Sequence, residues 1–371
     1  MLEKQNYQIT IMKYKILIGC IIILSVSIAK AQDNTEIAAK KAKEAINLMD
    51  NGKVEESIKL LEDAQKLDPS KYQYPYEIGY AYYLIKEYKS AAKALEKAKK
   101  YEDASDLVYQ LLGNSYDDAG KRSKALETYE EGLKLFPNSG YLYLEIGIVN
   151  MMEKEYNKAL GYFEKGIEKA PKYASNYYWA TKIYLSSTEE VWGMIYGEIF
   201  INLEPSTKRT VEISKLLFDE YKSEIKIIND TMKSVSFSKN ATITLEQLQD
   251  TKNFKLPFGI SCYEPTLIMS ILNIKDINLV SLNSIRTQFI ENYYKSEFDI
   301  KYPNILFAYQ NKLNQSGHFE AYNYWLLMHG DQDAFIEWKD KNITKWENFI
   351  SWFTANPIGI NDSNKFYSKQ Y

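Results

Sequence analysis

Between Ala38 and Thr207 the small, apolar and proline positions recur at a constant step of 34 residues. Gly79, Gly113 and Gly147 fall one step apart, as do Ala91, Ala125 and Ala159. Pro137, Pro171 and Pro205 keep the same step, and Pro69 lies one period before Asp103, which takes the proline's place in that frame. Five frames result: 38–71, 72–105, 106–139, 140–173 and 174–207. Each holds two helix-length apolar patterns, and all but the second close on the proline, so each predicts a helical hairpin, helix A followed by helix B.

The recurring residue types have a steric reason. Position 8 of the frame (Ala45, Gly79, Gly113, Gly147, Thr181) is small so that helix B can cross close to helix A. Position 20 (Ser57, Ala91, Ala125, Ala159, Gly193) is small from the other side. Position 27 (Ala64, Ala98, Gly132, Gly166) admits the next helix A. Larger residues at positions 11 and 24 fill the space between, as Leu48 with Leu61, Tyr82 with Leu95, and Tyr116 with Tyr129. Proline at position 32 ends helix B. Frame five departs from the pattern, with Thr181, Gly193 and Phe200 at usually conforming positions. In period and residue type the array resembles the tetratricopeptide repeat family.

Beyond Pro205, Ile213, Leu216, Leu217, Tyr221 and Ile225 mark one side of a further helix, and 208–230 reads as a capping helix over the open end of the array. The remainder, 231–371, does not keep the period. The stretch 234–244 alternates polar and apolar residues, as a short strand or extended linker would. Pro265 suits a first helical turn, and 279–298, 304–314 and 316–330 read as helices, the last with the glycine, aromatic and alanine order of a repeat hairpin. Phe335, Trp338, Trp346, Phe349, Ile350, Trp352 and Phe353 are expected to form core. The predicted fold is therefore all-α: an α-solenoid of about five helical hairpins plus a capping helix, followed by a mainly helical C-terminal domain.

The first 31 residues read as a signal peptide rather than structure. Lys13 and Lys15 precede an apolar run from Ile16 to Ile28, and Ala29-Lys30-Ala31 offers a small-x-small cleavage site before Gln32. Either Met1 or Met12 serves as the start of such a segment. Thirteen apolar residues are too few to cross roughly 30 Å of hydrocarbon, so no stable membrane span is expected after cleavage. Leu17-Ile18-Gly19-Cys20 offers a rival, lipoprotein-type site that would leave Cys20 lipidated. Cleavage after Ala31 leaves 42 basic against 48 acidic residues, a net charge of −6, and Cys262 as the only cysteine, hence no internal disulfide. An exported protein, periplasmic or secreted, is the expectation.

Whole-chain charge is balanced, 46 Lys+Arg against 49 Asp+Glu, so no nucleic-acid surface is indicated. The 32 tyrosines fit either aromatic contact surfaces or an A/T-rich coding bias. The resemblance implies a concave groove lined by positions 2, 5, 9 and 12 of each helix A. These are Tyr76, Tyr80 and Tyr83 in repeat two; Gln110, Asn114 and Asp117 in repeat three; Tyr141, Leu144, Ile148 and Met151 in repeat four; and Tyr178 and Lys182 in repeat five. Such an aromatic, sparsely charged groove suits a protein or peptide partner. The family's carboxylate clamp is not expected: Asn114 keeps its position 9, but Gln110 stands where the clamp has lysine, and Tyr141 and Glu145 where positive charge would be needed. Internal packing of the same tyrosines is the alternative.

Enzyme chemistry finds little footing. His318 and His329 are eleven residues apart, about 16 Å along a helix, and lack the i, i+4 spacing of a helical zinc site. His318-Phe319-Glu320 is not followed by the PCxxC of a zinc deaminase. Cys262 has no histidine near it in sequence, and is expected to be a buried structural thiol. No glycine-rich phosphate loop or GxSxG elbow occurs, and no cofactor or metal is expected. The expected role is a protein-binding scaffold or adaptor in envelope assembly or transport. Two alternatives are an enzyme carried by the C-terminal domain, and a self-assembling structural protein.

Overall fold

The computed structural model describes residues 33–239 and 256–371. The expected signal segment, Cys20 and both candidate starts lie outside these, as does the second half of the alternating 234–244 stretch. Each 34-residue frame forms the expected hairpin: α1 (33–50) with α2 (Val54–Leu67), α3 (Gln73–Leu84) with α4 (Tyr88–Ala98), and α5 (Asp106–Asp118) with α6 (Arg122–Leu135). The series continues with α7 (Gly140–Met152) and α8 (Tyr156–Lys169), then α9 (Ala174–Tyr184) and α10 (Glu190–Leu203).

The turn inside the hairpin repeats in backbone detail. Position 15 is left-handed in four frames: Gly52 (φ 76°), Lys86 (64°), Gly120 (75°) and Lys154 (63°). In each, its N–H and that of the next residue return to helix A; Gly120 donates to the Asp117 carbonyl and Lys121 to that of Tyr116, both at 2.8 Å. This closing pair satisfies carbonyls that would otherwise be orphaned. Glycine adopts the conformation freely, and the two lysines adopt it at a cost.

The small column at position 8 is required by position 24 of the same frame. A Cβ on Gly79 would stand 2.5 Å from Leu95 Cγ, one on Gly113 2.1 Å from Tyr129 Cε1, and one on Gly147 2.3 Å from Phe163 Cε1. Helix B lays its large side chain directly over the glycine. Tyrosine at position 4 ties a frame to the proline before it: Tyr143 donates to the Pro137 carbonyl and Tyr177 to that of Pro171, both at 3.1 Å.

The chain forms two compact units, one ending at Phe136 and one spanning Pro137–Tyr371. That division falls inside the repeats rather than at the expected boundary after residue 207. Repeats four and five share one core with the C-terminal region, running from Ala159 and Phe163 to Ile360 and Phe366. Its axis is α10, in which every residue from Glu190 to Asn202 is buried. A helix apolar on all sides needs neighbours on all sides.

Those neighbours follow in order. α11 (Lys208–Glu224) starts on a Thr207 capping box. The expected capping helix therefore stops at Glu224, and Ile225–Ile227 (β1) pairs antiparallel with Lys233–Val235 (β2). Nor does α11 face open solvent as a cap. Ser214 donates to the Leu326 carbonyl at 2.7 Å, and Gly330 lies so close to the Phe218 ring that a Cβ would stand 2.1 Å from it. A π-helical turn, Gly259–Tyr263, leads into α12 (Glu264–Ser270), with Pro265 in its first turn as expected. Then come α13 (Leu279–Lys295), α14 (Phe298–Lys301), α15 (Ile305–Gln315), α16 (Phe319–Leu327), α17 (Gln332–Lys341) and α18 (Ile343–Ala355). The α15–α16 hairpin repeats the turn of the N-terminal frames, with Gly317 at φ 75° and His318 N–H donating to the Leu313 carbonyl. The expected aromatic core at 335–353 is thinner than predicted: Trp338 and Phe349 are buried, the other aromatics are half-buried, and Ile350 is exposed.

Candidate functional site: the helix A faces

In the first unit the expected residues divide sharply. Tyr76 is half-buried and packs on Ala98, Ala104 and Val108. Tyr83 donates to Asp118 Oδ2 at 2.6 Å, and its ring meets Tyr88 edge-on at 5.4 Å. Asn114 Oδ1 accepts the Tyr129 hydroxyl at 2.5 Å, so the ring that covers Gly113 is also anchored by the next residue. Asp117 is paired with Arg122 at 3.0 Å, and Gln110 is half-buried. Tyr80 is the outward one, 40% exposed, with Leu84 exposed one turn on.

The open space lies one repeat earlier. A groove of about 630 Å³ is lined by Ala39, Ala42 and Ile46 of α1 and by Gln73 and Tyr74 at the start of α3, with Lys43 and Lys71 at its rim. Ala39, Ala42 and Ile46 hold positions 2, 5 and 9 of frame one. The position rule that picks out Tyr80 in repeat two therefore also finds this groove in repeat one. Small side chains at two of the three positions create the volume. Asp68 also lines it; it is 5% exposed, Oδ1 accepts from the Ser70 backbone and hydroxyl, and Oδ2 has no hydrogen-bond partner among the described residues.

The second unit corrects the expected aromatic groove. Tyr141 is 37% exposed and leans on the Tyr173 ring at 4.6 Å. Leu144, Ile148 and Met151 pack against the core. Tyr178 is buried, donating to Glu212 Oε2 at 2.6 Å. Lys182 pairs with Glu212 Oε1 at 2.7 Å, and Arg209, bonded to Glu204, lies 5.0 Å from the Tyr178 ring. The row α7–α9–α11 is thus neither sparsely charged nor open at Tyr178: α11 brings in the charges that satisfy it. Burial tends to raise the Glu212 carboxyl, but the bonds from Lys182 and Tyr178 outweigh that and hold it low.

Polar groups also converge deep in this unit. Glu198 Oε1 accepts from Arg286 (2.6 Å), Gln310 (2.5 Å) and the Tyr322 hydroxyl (2.8 Å). Arg286 also donates to Asn323 Oδ1 (2.7 Å) and to the Tyr221 hydroxyl (3.0 Å). Glu198, Tyr221, Arg286 and Gln310 border a cavity of about 20 Å³, room for about one water. Cys262 is fully buried and unpaired, and burial pushes its thiol up. His318 and His329 flank α16 at opposite ends; His318 lies against the Trp352 ring at 5.2 Å.

Glu190, Glu220 and Glu224 bring carboxylate oxygens within 4.8 Å of one another, and Lys239 bonds Glu190 (2.9 Å) and Glu224 (3.4 Å). Burial raises the Glu220 carboxyl to about 7, with Glu190 and Glu224 pushing the same way. The folded pKa lies above the ordinary 4.5. The group's contribution is therefore complete below 4.5 and is lost as pH rises through about 7. Glu220→Gln is expected to match the parent near pH 4.5 and to melt about 2 °C higher at pH 8, a shift kept small by partial exposure. Parallel melts at both pH values check it; a constant offset would contradict it.

Residues 42–106 and 111–174 match the model of the tetratricopeptide repeat family. A curated relative, the BBSome complex member BBS4 of Bos taurus, is 26% identical over 118 residues, 30% of this chain. The alignment spans 22% of that protein's length. Among solved structures, pilF of Pseudomonas aeruginosa is 18% identical, covering 52% of this chain and 86% of its own, with a TM-score of 0.44. YrrB, a TPR protein with an unusual peptide-binding site, is 21% identical, covering 50% of this chain and 95% of its own, with a TM-score of 0.35. Over residues 42–106 and 111–174, this chain is built of tetratricopeptide repeats.

Proposed function

We propose that the protein is an exported scaffold that binds a protein or peptide partner along the helix A faces of its first unit and serves envelope assembly or transport. The observation that carries this reading is the open, largely apolar groove formed by positions 2, 5 and 9 of α1. Ala39 and Ile46 are exposed there, while Ala42 is half-buried against the core and forms the floor side of the helix face. Ile46 offers an exposed aliphatic contact and Tyr80, on α3, a large amphipathic one. Export rests on the pattern of residues 13–31, and predicts a mature chain beginning at Gln32.

The decisive variants are Ile46→Glu and Tyr80→Ala. Both side chains are exposed, so melting is expected to change within about 0.5 kcal/mol. Crosslinking and mass spectrometry from the native envelope should recover one partner set with the parent and lose it with Ile46→Glu. An unchanged set in both variants would remove the groove from consideration. Asn114→Ala is a poor probe of binding, because it removes the hydrogen bond that anchors the Tyr129 ring over Gly113 and should cost about 1 kcal/mol of stability.

A further inference from the structure

Helix B of repeat two is unlike the other helices B. Along α4 and just beyond it, Lys89, Lys93, Lys97 and Lys100 recur at steps of four, four and three, which places them on one helical face. Like charges at that spacing repel one another. Lys89 and Lys93 form no ion pair or side-chain hydrogen bond among the described residues, whereas Lys158 and Lys165 on α8 each find a glutamate three residues away. At the start of this stripe lies a depression of about 280 Å³, to which α4 contributes Tyr88, Lys89, Ala92, Lys93 and Glu96. Its opposite side is Tyr116 and Ala119 from the end of α5, then Lys121 and Lys124.

Four ammonium groups thus border one depression against a single carboxylate, and that carboxylate is already engaged. Glu96 accepts the Tyr116 hydroxyl at 2.6 Å and pairs with Lys124 at 3.7 Å and Lys99 at 3.8 Å. Lys124 also lies 4.1 Å from the centre of the Tyr116 ring. Lys89, Lys93 and Lys121 are exposed and keep their charge uncompensated among the described residues. Lys121 is moreover the N-cap residue of α6, a helix with no side-chain cap and no acid in its first turn, so the local dipole adds positive potential.

We infer that this depression between α4 and α6 is an anion site for a phosphate group, carried by a soluble phosphorylated molecule or by a lipid headgroup. Lysine ammonium groups bind phosphate as point charges without a fixed fork geometry. The walls, Tyr88, Ala92, Tyr116 and Ala119, supply the apolar sides that strengthen the field inside. The site lies on helix B and is independent of the helix A groove, so either can fail without the other.

Titration calorimetry of the full chain with inorganic pyrophosphate tests it. Binding is expected at low salt, weakening as salt rises, and about tenfold weaker in Lys93→Gln/Lys121→Gln. Lys59→Gln/Lys134→Gln, two exposed lysines of the same unit outside the depression, should bind as the parent does. Cosedimentation with phosphatidylcholine vesicles, with and without phosphatidylglycerol, separates the sources. Capture by the anionic vesicles that the pocket variant loses identifies a headgroup; pyrophosphate binding without capture identifies a soluble ligand. Equal weakening in the two variant pairs, or no binding in either assay, overturns the proposal.

Discussion

Replacing Arg286 with methionine is expected to remove about 3–5 kcal/mol of folding stability, a large part of what a protein of this kind holds in reserve. Arg286 and Glu198 are each about 95% buried, and each of the three guanidinium nitrogens donates to an acceptor: Asn323, Tyr221 and Glu198. Methionine has similar length and fills the volume, so the loss comes from charge. Glu198 would keep the Gln310 and Tyr322 donors but lose its counter-ion among the described residues, and a buried carboxylate without one is what the fold cannot tolerate. The double change Glu198→Gln/Arg286→Met removes both charges and should recover a substantial part of the loss, because a neutral, filled site is often as stable as a buried ion pair. Denaturant unfolding of the parent, both single variants and the double variant gives the coupling directly. A single-variant loss below about 1 kcal/mol would mean that water already compensates Glu198.

That network also shows where reading the sequence stops. The 34-residue columns are a short-range signal: position 8 meets position 24 sixteen residues away, so Gly113 and Tyr129 can be paired by eye. Glu198 and Arg286 are 88 residues apart with no period between them, and only packing brings them together. At Tyr178 the alternative of internal packing holds, for a related reason. Its frame position is the groove position of the family, but its surroundings are set by Glu212 and Arg209, which arrive a full frame later. α10 was legible in principle. Its run Val191-Trp192-Gly193-Met194-Ile195-Tyr196 is apolar all round, which means full burial; read as a degraded repeat, it concealed that the C-terminal region folds onto repeats four and five. The groove at Ile46 was equally within reach of the position rule. Lys89 and Lys93, by contrast, disappear into a balanced composition, since charge summed over a chain says nothing of where it converges.

Cutting the chain after Asn356 should have an effect at least as large as the loss of Arg286. The 15 residues removed are mostly irregular in backbone, yet they carry Ile358, Ile360 and Phe366, each at most 7% exposed. Burial of each such side chain is worth about 1.5–3 kcal/mol, roughly 5–9 kcal/mol for the three. Phe366 sits between Trp192 (5.5 Å) and Phe258 (5.4 Å), and Tyr371 packs on Tyr302 at 5.3 Å. The tail also binds by its polar groups. Ser368 donates its hydroxyl to Glu164 Oε1 (2.7 Å) and its N–H to the Tyr196 hydroxyl (2.8 Å), and Lys365 donates to the Glu168 carbonyl (2.7 Å). Truncation thus strips one face of α10 and part of repeat four together. The truncated chain should lose most of the cooperative unfolding signal of Trp192, read by near-ultraviolet circular dichroism. Phe366→Ala alone should cost about 3–5 kcal/mol and Ser368→Ala about 1–2 kcal/mol, which ranks ring packing above the Glu164 contact. A truncated chain melting within a few degrees of the parent would show that the tail rests on this core without holding it together.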